Sequence, residues 1–147
     1  MVEGYSFHTS FRVRYSEIDP QMIVFNVHYL NYIVISNTEY FRTTGIRFFD
    51  KEEVPFDIAL VKSTLEFKSP AYFDDVIDAY VRISRLGRKS YTANYIMIRA
   101  SNGEVIFKAE NIYVGFNPAT KQSELIPEHI RKIVRAFEGQ NLMEDEQ

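Results

Sequence analysis

The spacing of apolar residues changes along this chain, and the change limits the folds open to it. Residues 29–42 carry apolar side chains at helical spacing, among them Leu30, Ile33, Val34 and Phe41, and Gly45 follows as a C-terminal stop. From Pro55 to Phe116 the spacing is two, as in strands, and a shorter run at positions 7–15 also alternates. The pattern predicts one helix of about four to five turns and about five strands.

Short turns bound the predicted strands. Turn-forming pairs end or separate them at Ser69-Pro70, Leu86-Gly87 and Asn117-Pro118. The Asn102-Gly103 pair predicts a two-residue hairpin turn, because both of its positions need a positive φ. Pro127 opens a short amphipathic helix, and the acidic residues at 139–147 predict a frayed tail.

One apolar helix and one antiparallel sheet can bury each other's apolar faces. The prediction is therefore an α+β fold over residues 1–147, a single domain in which a curved sheet of about five strands wraps a long central helix. A short C-terminal helix completes it. Such a unit leaves a sheet edge open, and open edges are commonly covered by a partner. We therefore expect a homodimer whose sheet is continuous across the two subunits.

Composition excludes several functions. Seventeen Lys and Arg against twenty Asp and Glu give a net charge of −3, which offers no general attraction to nucleic acid or anionic lipid. The absence of cysteine excludes disulfides, thiolate metal sites and a cysteine nucleophile. The N-terminus has no signal-peptide pattern, and no apolar run approaches the length of a membrane span. These features predict a cytoplasmic protein with neither nucleic acid nor membrane as partner.

Motifs for metal and nucleotide chemistry are missing as well. The three histidines are dispersed, at His8, His28 and His129, so the sequence predicts no metal site. There is no glycine-rich phosphate loop and no Gly-x-Ser-x-Gly elbow. Nucleotide hydrolysis and serine-hydrolase chemistry are therefore not expected.

The segment from Arg14 to Tyr29, between the first strand and the helix, holds the densest set of candidate residues. It contains Asp19, then a bend, two apolar residues at positions 23 and 24, and Asn26 three residues before Tyr29. This order resembles the active-site loop of the hotdog-fold acyl-CoA thioesterases of the para-hydroxybenzoyl-CoA thioesterase type. Segments 30–32 and 38–42 are similar to that family's helix, segment 65–76 to its second strand, and segment 88–91 to the start of its post-hairpin strand.

The resemblance implies a hotdog fold and a dimer that pairs into a dimer of dimers, a homotetramer. It also implies hydrolysis of an acyl or aroyl thioester of coenzyme A, or of acyl carrier protein, without a cofactor. Asp19 would be the nucleophile or general base, and the backbone amides of Asn26, Val27 and His28 would polarise the carbonyl. Taken alone, Asp19 before Pro20 also fits a simple turn cap.

Substrate contacts are expected in two groups. The acyl pocket would be lined by Ile23, Val24, Phe25, Tyr29 and Tyr32, although filling the core is the alternative role for apolar residues of this kind. The resemblance implies that Arg88, Lys89 and Ser90 meet the phosphates of coenzyme A, although a solvated basic hairpin is an equal alternative.

Two further acids lie near these groups. Glu39, on the helix, is a second candidate for the catalytic acid, and its alternative role is a pair with Arg42. Glu17 is interpreted as a surface ion pair with Arg14.

One departure from the family pattern keeps other functions open. The family has glycine three residues after the aspartate, where this chain has Met22. A differently shaped loop would suit a catalytically inert protein that binds acyl thioesters. A hotdog hydratase or dehydratase is a further alternative, but no histidine-plus-carboxylate pattern is evident around the helix.

Overall fold

A five-stranded antiparallel sheet packs against a central helix in the computed structural model, which describes residues 1–47 and 56–145. The strands lie in the order β1-β3-β4-β5-β2, with bounds β1 His8–Arg12, β2 Asp57–Phe67, β3 Val76–Leu86, β4 Ser90–Arg99 and β5 Val105–Phe116. The helices are α1, His28–Thr44, and α2, Glu128–Glu138. This arrangement confirms the predicted α+β hotdog architecture. The predicted beginning of the second strand at Pro55 lies outside the described residues.

The central helix ends where the sequence predicts, but its buried face differs. Gly45 takes a φ of 80°, and its amide donates to the carbonyl of Phe41 at 2.9 Å. The buried face carries Tyr29, Tyr32, Ile33, Ser36, Tyr40 and Phe41. Leu30 and Val34, which the spacing assigned to the apolar positions of the helix, are exposed. The large aromatic rings take the sheet-facing side because they bury more apolar area there.

β2 forms an edge of the sheet. Within the described chain it pairs only with β5, and its other side has no strand beside it. Leu60, Val61 and Phe67 on this strand are half exposed or more. An eleven-residue edge with apolar side chains is a surface that soluble proteins usually cover.

Two local predictions are wrong. The turn at Asn102-Gly103 is not a two-residue hairpin turn. The hydrogen bond that closes it runs from the amide of Arg99 to the carbonyl of Glu104, and only Gly103 has a positive φ. The first strand ends at Arg12 rather than Tyr15, whose side chain is 74% exposed. The chain instead turns at Tyr15–Glu17, where it forms a short 3-10 helix.

The predicted frayed tail is ordered as far as residue 145. Residues 139–141 form a 3-10 turn, and β6, Met143–Glu144, pairs in parallel with the end of β3. The carboxylate of Glu144 lies between the guanidinium groups of Arg131 and Arg135. These ion pairs and the strand pairing offset the chain entropy that a free tail would keep. The last two residues lie outside the described part of the chain.

Candidate active site

Residues 17–25, between β1 and α1, form a closed loop. The amide of Phe25 donates to the carbonyl of Glu17 at 2.9 Å, and the amide of Asp19 donates to the carbonyl of Ile23 at 2.9 Å. At the tip, the amide of Met22 donates to the carbonyl of Asp19 at 2.8 Å, which closes a β-turn. Backbone hydrogen bonds on both sides therefore hold the loop in one conformation.

Asp19 begins this β-turn and is half buried. Its Oδ1 accepts the amide hydrogen of Gln21 at 2.8 Å, so the turn-cap interpretation is confirmed. The same bond holds the carboxylate in one orientation. Oδ2 accepts no hydrogen bond from any described residue, which leaves one oxygen for a substrate or a water molecule.

Met22 occupies a position that favours glycine. Its φ is 64°, in the left-handed region, and its side chain is 60% exposed. Three-residue hairpin loops commonly end on such a left-handed residue, which explains the glycine of the family pattern. The chain therefore keeps the left-handed turn with methionine in place of glycine, at a cost of about 1 kcal/mol.

We expect Met22→Gly to raise the free energy of unfolding by about 0.5 kcal/mol, because relief of the left-handed strain exceeds the entropy cost of glycine. Urea denaturation measures the change. The matched control is Gln21→Gly, next in the turn and without a positive φ, which should destabilise by about 0.5–1 kcal/mol. Equal losses in both variants would contradict the assignment of strain to Met22.

The start of α1 presents two free amides rather than three. The amide of His28 donates to the carbonyl of Phe25 at 2.9 Å, so the prediction of a free donor at His28 is wrong. This hydrogen bond closes a tight turn directly before the helix. The amides of Asn26 and Val27 meet no acceptor among the described residues, and both residues are exposed. These two groups remain at the positive end of the helix dipole.

A hollow of about 280 Å³ lies beside the loop. Four of its lining residues belong to the loop and the helix and were predicted site residues: Ile23, Val24, Asn26 and Tyr29. The other four were not predicted: Phe67, Lys68, Ser69 and Pro70. The second group comes from the end of β2 and the turn after it. Their sequence signals were the strand stop at Ser69-Pro70 and the similarity of segment 65–76 to the family's second strand, and neither indicates which residues they approach. Asp19 does not line the hollow, but its amide bonds to Ile23, which does.

Aromatic rings form one wall of this hollow. Tyr29 stacks on Phe107 with ring centroids 4.8 Å apart. Phe67 meets both rings edge to face, at 5.5 Å from Tyr29 and 5.4 Å from Phe107. Burial raises the pKa of the Tyr29 hydroxyl more than the nearby Ala71 backbone lowers it, so the phenol stays neutral. The wall is thus apolar and uncharged.

Glu17 is buried, and its interpretation as a surface ion pair with Arg14 is wrong. The residue is 8% exposed, and its Oε1 accepts the hydroxyl hydrogen of Tyr32 at 3.0 Å and the backbone amide hydrogen of Arg14 at 2.8 Å. Sequence reasoning missed this contact. The available signal was Tyr32 itself, a tyrosine on the buried side of the helix whose hydroxyl needs a partner.

Arg88, Lys89 and Ser90 lie far from the hollow in the same subunit. Ser90 begins β4, and Met97, which pairs with Phe107 beside the hollow, is seven positions further along the strand. At 3.3 Å per residue the separation is about 23 Å. Arg88 instead lines a separate cavity of about 300 Å³ near the start of α2. The structure therefore does not bring the two predicted substrate groups together within one chain.

Glu39 is also removed from the loop. It pairs with Arg42 on the helix surface, as the alternative interpretation predicted. It stands eleven positions after the first residue of α1, or about 16 Å along the axis. Glu39 and Asp19 therefore do not converge within this chain.

The described residues contain no cluster of three or more His, Asp or Glu side chains arranged to hold a metal ion. In the same parts of the chain, no helix has the length and apolar character needed to cross a membrane.

Comparison with known proteins points to one family. The sequence profile of the Thioesterase-like superfamily matches residues 13–134. A protein of Aquifex aeolicus (strain VF5), provisionally named an esterase, is 27% identical over 88 residues, which are 60% of this chain and 69% of that protein.

Solved structures share the fold. A 1,4-dihydroxy-2-naphthoyl-CoA thioesterase from Synechocystis superposes with a TM-score of 0.80 at 15% identity, covering 87% of this chain and 94% of that one. A thioesterase from Thermus thermophilus, complexed with coenzyme A and Zn, gives a TM-score of 0.81 at 24% identity, covering 95% of this chain and 98% of that one.

Proposed function

The chain belongs to the Thioesterase-like superfamily, and from this premise we propose that it hydrolyses an acyl or aroyl thioester of coenzyme A to the free acid and the free thiol, with Asp19 as nucleophile or general base. The observation that carries the proposal is the closed loop 17–25. The loop holds a carboxylate with one free oxygen, and its residues Ile23 and Val24 line a hollow together with Asn26, whose backbone amide is free.

Thioester hydrolysis needs one group that attacks the carbonyl carbon or activates a water molecule, and other groups that polarise the carbonyl. In the covalent route, an oxygen of Asp19 attacks the carbonyl carbon, the carbon–sulfur bond breaks, and the thiolate leaves and takes a proton. Water then hydrolyses the mixed anhydride and restores the carboxylate. In the general-base route, Asp19 takes a proton from the water molecule that attacks the carbonyl carbon. The carbon–sulfur bond of the tetrahedral intermediate then breaks, and the leaving thiolate takes the proton from Asp19. The amides of Asn26 and Val27 would stabilise the oxyanion in either route.

Substrate binding is proposed to involve more than one subunit. The half-exposed edge of β2 and the exposed Leu30 and Val34 on α1 supply an apolar face for a second copy. Arg88, Lys89 and Ser90, about 23 Å from the hollow of their own chain, would then serve a hollow of a neighbouring subunit in a dimer or dimer of dimers. Arg88 and Lys89 suit the phosphates of coenzyme A through charge and hydrogen bonding.

The aromatic wall favours a compact or planar acyl group. We expect Phe67→Ala to raise KM for an aroyl-CoA about tenfold while kcat stays within about threefold, because the ring contact is made alike in ground and transition states. Steady-state kinetics with benzoyl-CoA measures both constants, and light scattering checks the oligomeric state.

The matched control for that variant is Phe73→Ala, a ring exposed to the same degree that does not line the hollow. Its KM should equal that of the wild type. An unchanged KM in Phe67→Ala, or the same rise in both variants, would remove Phe67 from the acyl pocket.

The test of function is thiol release from a panel of short, long and aromatic acyl-CoAs, with direct binding measured on the same panel. Turnover of at least one member supports the proposal. Binding without turnover would make the chain an acyl-thioester binding protein. Hydration of an enoyl thioester in place of thiol release would indicate hydratase chemistry. The same panel loaded on acyl carrier protein identifies the carrier.

A further inference from the structure

Glu17 is a buried carboxylate without a cation. None of the ion pairs among the described residues includes it, although its side chain lies at the base of the loop that carries Asp19. Burial of an unpaired carboxylate is costly, and a neutral residue of similar shape would avoid that cost. The position of Glu17 therefore calls for an explanation beyond packing.

The carboxylate of Glu17 joins the loop to the central helix. Its Oε1 accepts from the hydroxyl of Tyr32 at 3.0 Å, and Tyr32 lies in the second turn of α1. The ring of Tyr32 is fully buried and packs against Tyr29 at 5.7 Å and Phe11 at 4.7 Å between centroids. Its hydroxyl is thus a fixed donor, and burial keeps it protonated by raising its pKa.

The backbone of Glu17 also closes the loop. Its carbonyl accepts from the amide of Phe25, and the neighbouring pair Ile18 and Val24 forms an isolated β-bridge. Asp19 is two residues after Glu17, and the free amides of Asn26 and Val27 follow Phe25 directly. Glu17 therefore lies two residues before Asp19 and bonds to Phe25, the residue directly before the two free amides.

We propose that Glu17 is a positioning residue, whose hydrogen bond with Tyr32 holds Asp19 in register with the amides at the start of α1. The inference rests on the proposed function. Displacement of a reacting group by about 1 Å can cost about 100-fold in rate. A partial loss of register after removal of one hydrogen bond should cost less, about tenfold.

The test compares Tyr32→Phe with Ser36→Ala. Tyr32→Phe removes only the hydroxyl that Glu17 accepts from and should lower kcat about tenfold, with KM within about twofold. Ser36→Ala removes another buried hydroxyl one turn further along α1, which bonds to the carbonyl of Tyr32 and does not touch the loop. Its kcat should match the wild type. Urea denaturation of both variants measures the change in stability separately from rate.

The second arm is rescue at position 17. Glu17→Gln keeps an oxygen that accepts from Tyr32 and from the amide of Arg14, so its kcat should stay within about threefold of the wild type. The kcat of Glu17→Ala should fall as far as that of Tyr32→Phe. If Glu17→Ala fails to fold, Tyr32→Phe with its control carries the test alone.

Two readouts separate this inference from the proposed function. In an Asp19→Asn background, Tyr32→Phe should cause no further loss of rate, because the group that it positions is gone. Independently of activity, hydrogen exchange at the amides of Asp19 and Phe25 should quicken about tenfold in Tyr32→Phe and not in Ser36→Ala. Unchanged exchange would overturn the positioning role. A kcat for Tyr32→Phe equal to that of Ser36→Ala, in an enzyme that Asp19→Asn inactivates, would also overturn it and leave the proposed function standing.

Discussion

Asp19→Asn is expected to lower the turnover of acyl-CoA at least about 100-fold, because covalent and general-base roles are each worth that much. The substitution suits the structure. Asparagine keeps the oxygen that accepts the amide hydrogen of Gln21, and it is favoured in the same turn, so the loop should keep its conformation. Thiol release on the best substrate of the panel measures the loss, and circular dichroism with urea denaturation checks the fold.

The matched control is Glu39→Gln, the same carboxylate-to-amide change about 16 Å along the helix. Glu39 pairs with Arg42 at the surface, so the turnover of Glu39→Gln should stay within about threefold of the wild type. Equal rates for wild type and Asp19→Asn would remove the aspartate mechanism. A loss of rate in Glu39→Gln alone would indicate that Glu39, rather than Asp19, is the catalytic acid.

Glu144→Ala is expected to lower the free energy of unfolding by about 3 kcal/mol, because it leaves a buried guanidinium without its counter-ion. Arg131 is 1% exposed, and its other partner is the carbonyl of Gly87 at 2.7 Å. Glu144 accepts from Arg131 and Arg135, both at 2.7 Å. Urea denaturation at pH 7 measures the loss.

Asp145→Ala is the matched control, one residue further along the same tail. Its carboxylate pairs with Arg85 where both side chains are exposed, so the loss should be below about 1 kcal/mol. Its backbone bond to the carbonyl of Leu86 survives the substitution. Losses of the same size in the two variants would contradict a special role for the buried Arg131.

The same ion pairs predict a dependence on pH. Hydrogen bonding to Arg135 and then to Arg131 lowers the pKa of Glu144 from 4.5 to about 2. Because the folded pKa lies below the unfolded one, this contribution is complete above about pH 4.5 and is lost as the pH falls toward 2. Wild type and Glu144→Ala should therefore approach each other in stability at pH 3. Burial raises the pKa of Glu138, an effect of opposite sign that is present in both proteins and cancels.

Local patterns account for much of the candidate site. Asp19 before Pro20 predicts a turn, and the hydrogen bond of Gln21 on Oδ1 confirms it. Met22 in place of the family's glycine led to the expectation of a differently shaped loop, but Met22 adopts a left-handed φ of 64°, the region that favours glycine. These features depend on backbone dihedrals and hydrogen bonds within a few residues, which the local sequence determines.

Contacts between distant segments were not predictable in the same way. Glu17 reaches Tyr32 across the loop, and Phe67 reaches Tyr29 only because β2 pairs with β5 at the sheet edge. Arg88 and Lys89 have the right charge for a phosphate, but strand order places them at the far end of the sheet from the hollow. Charge and spacing along the chain do not reveal which strands are neighbours.

The sequence by itself determined the order of helix and strands, the ends of the central helix and the turn that presents Asp19. Each of these depends on the period of apolar residues or on turn residues such as Pro20 and Gly45, and both act over short distances. Only the tertiary structure decided that Glu17 is buried, that the rings at 29, 67 and 107 pack against one another, and that the tail packs on Arg131. Those outcomes depend on strand order and register, which bring together residues that are far apart in the chain.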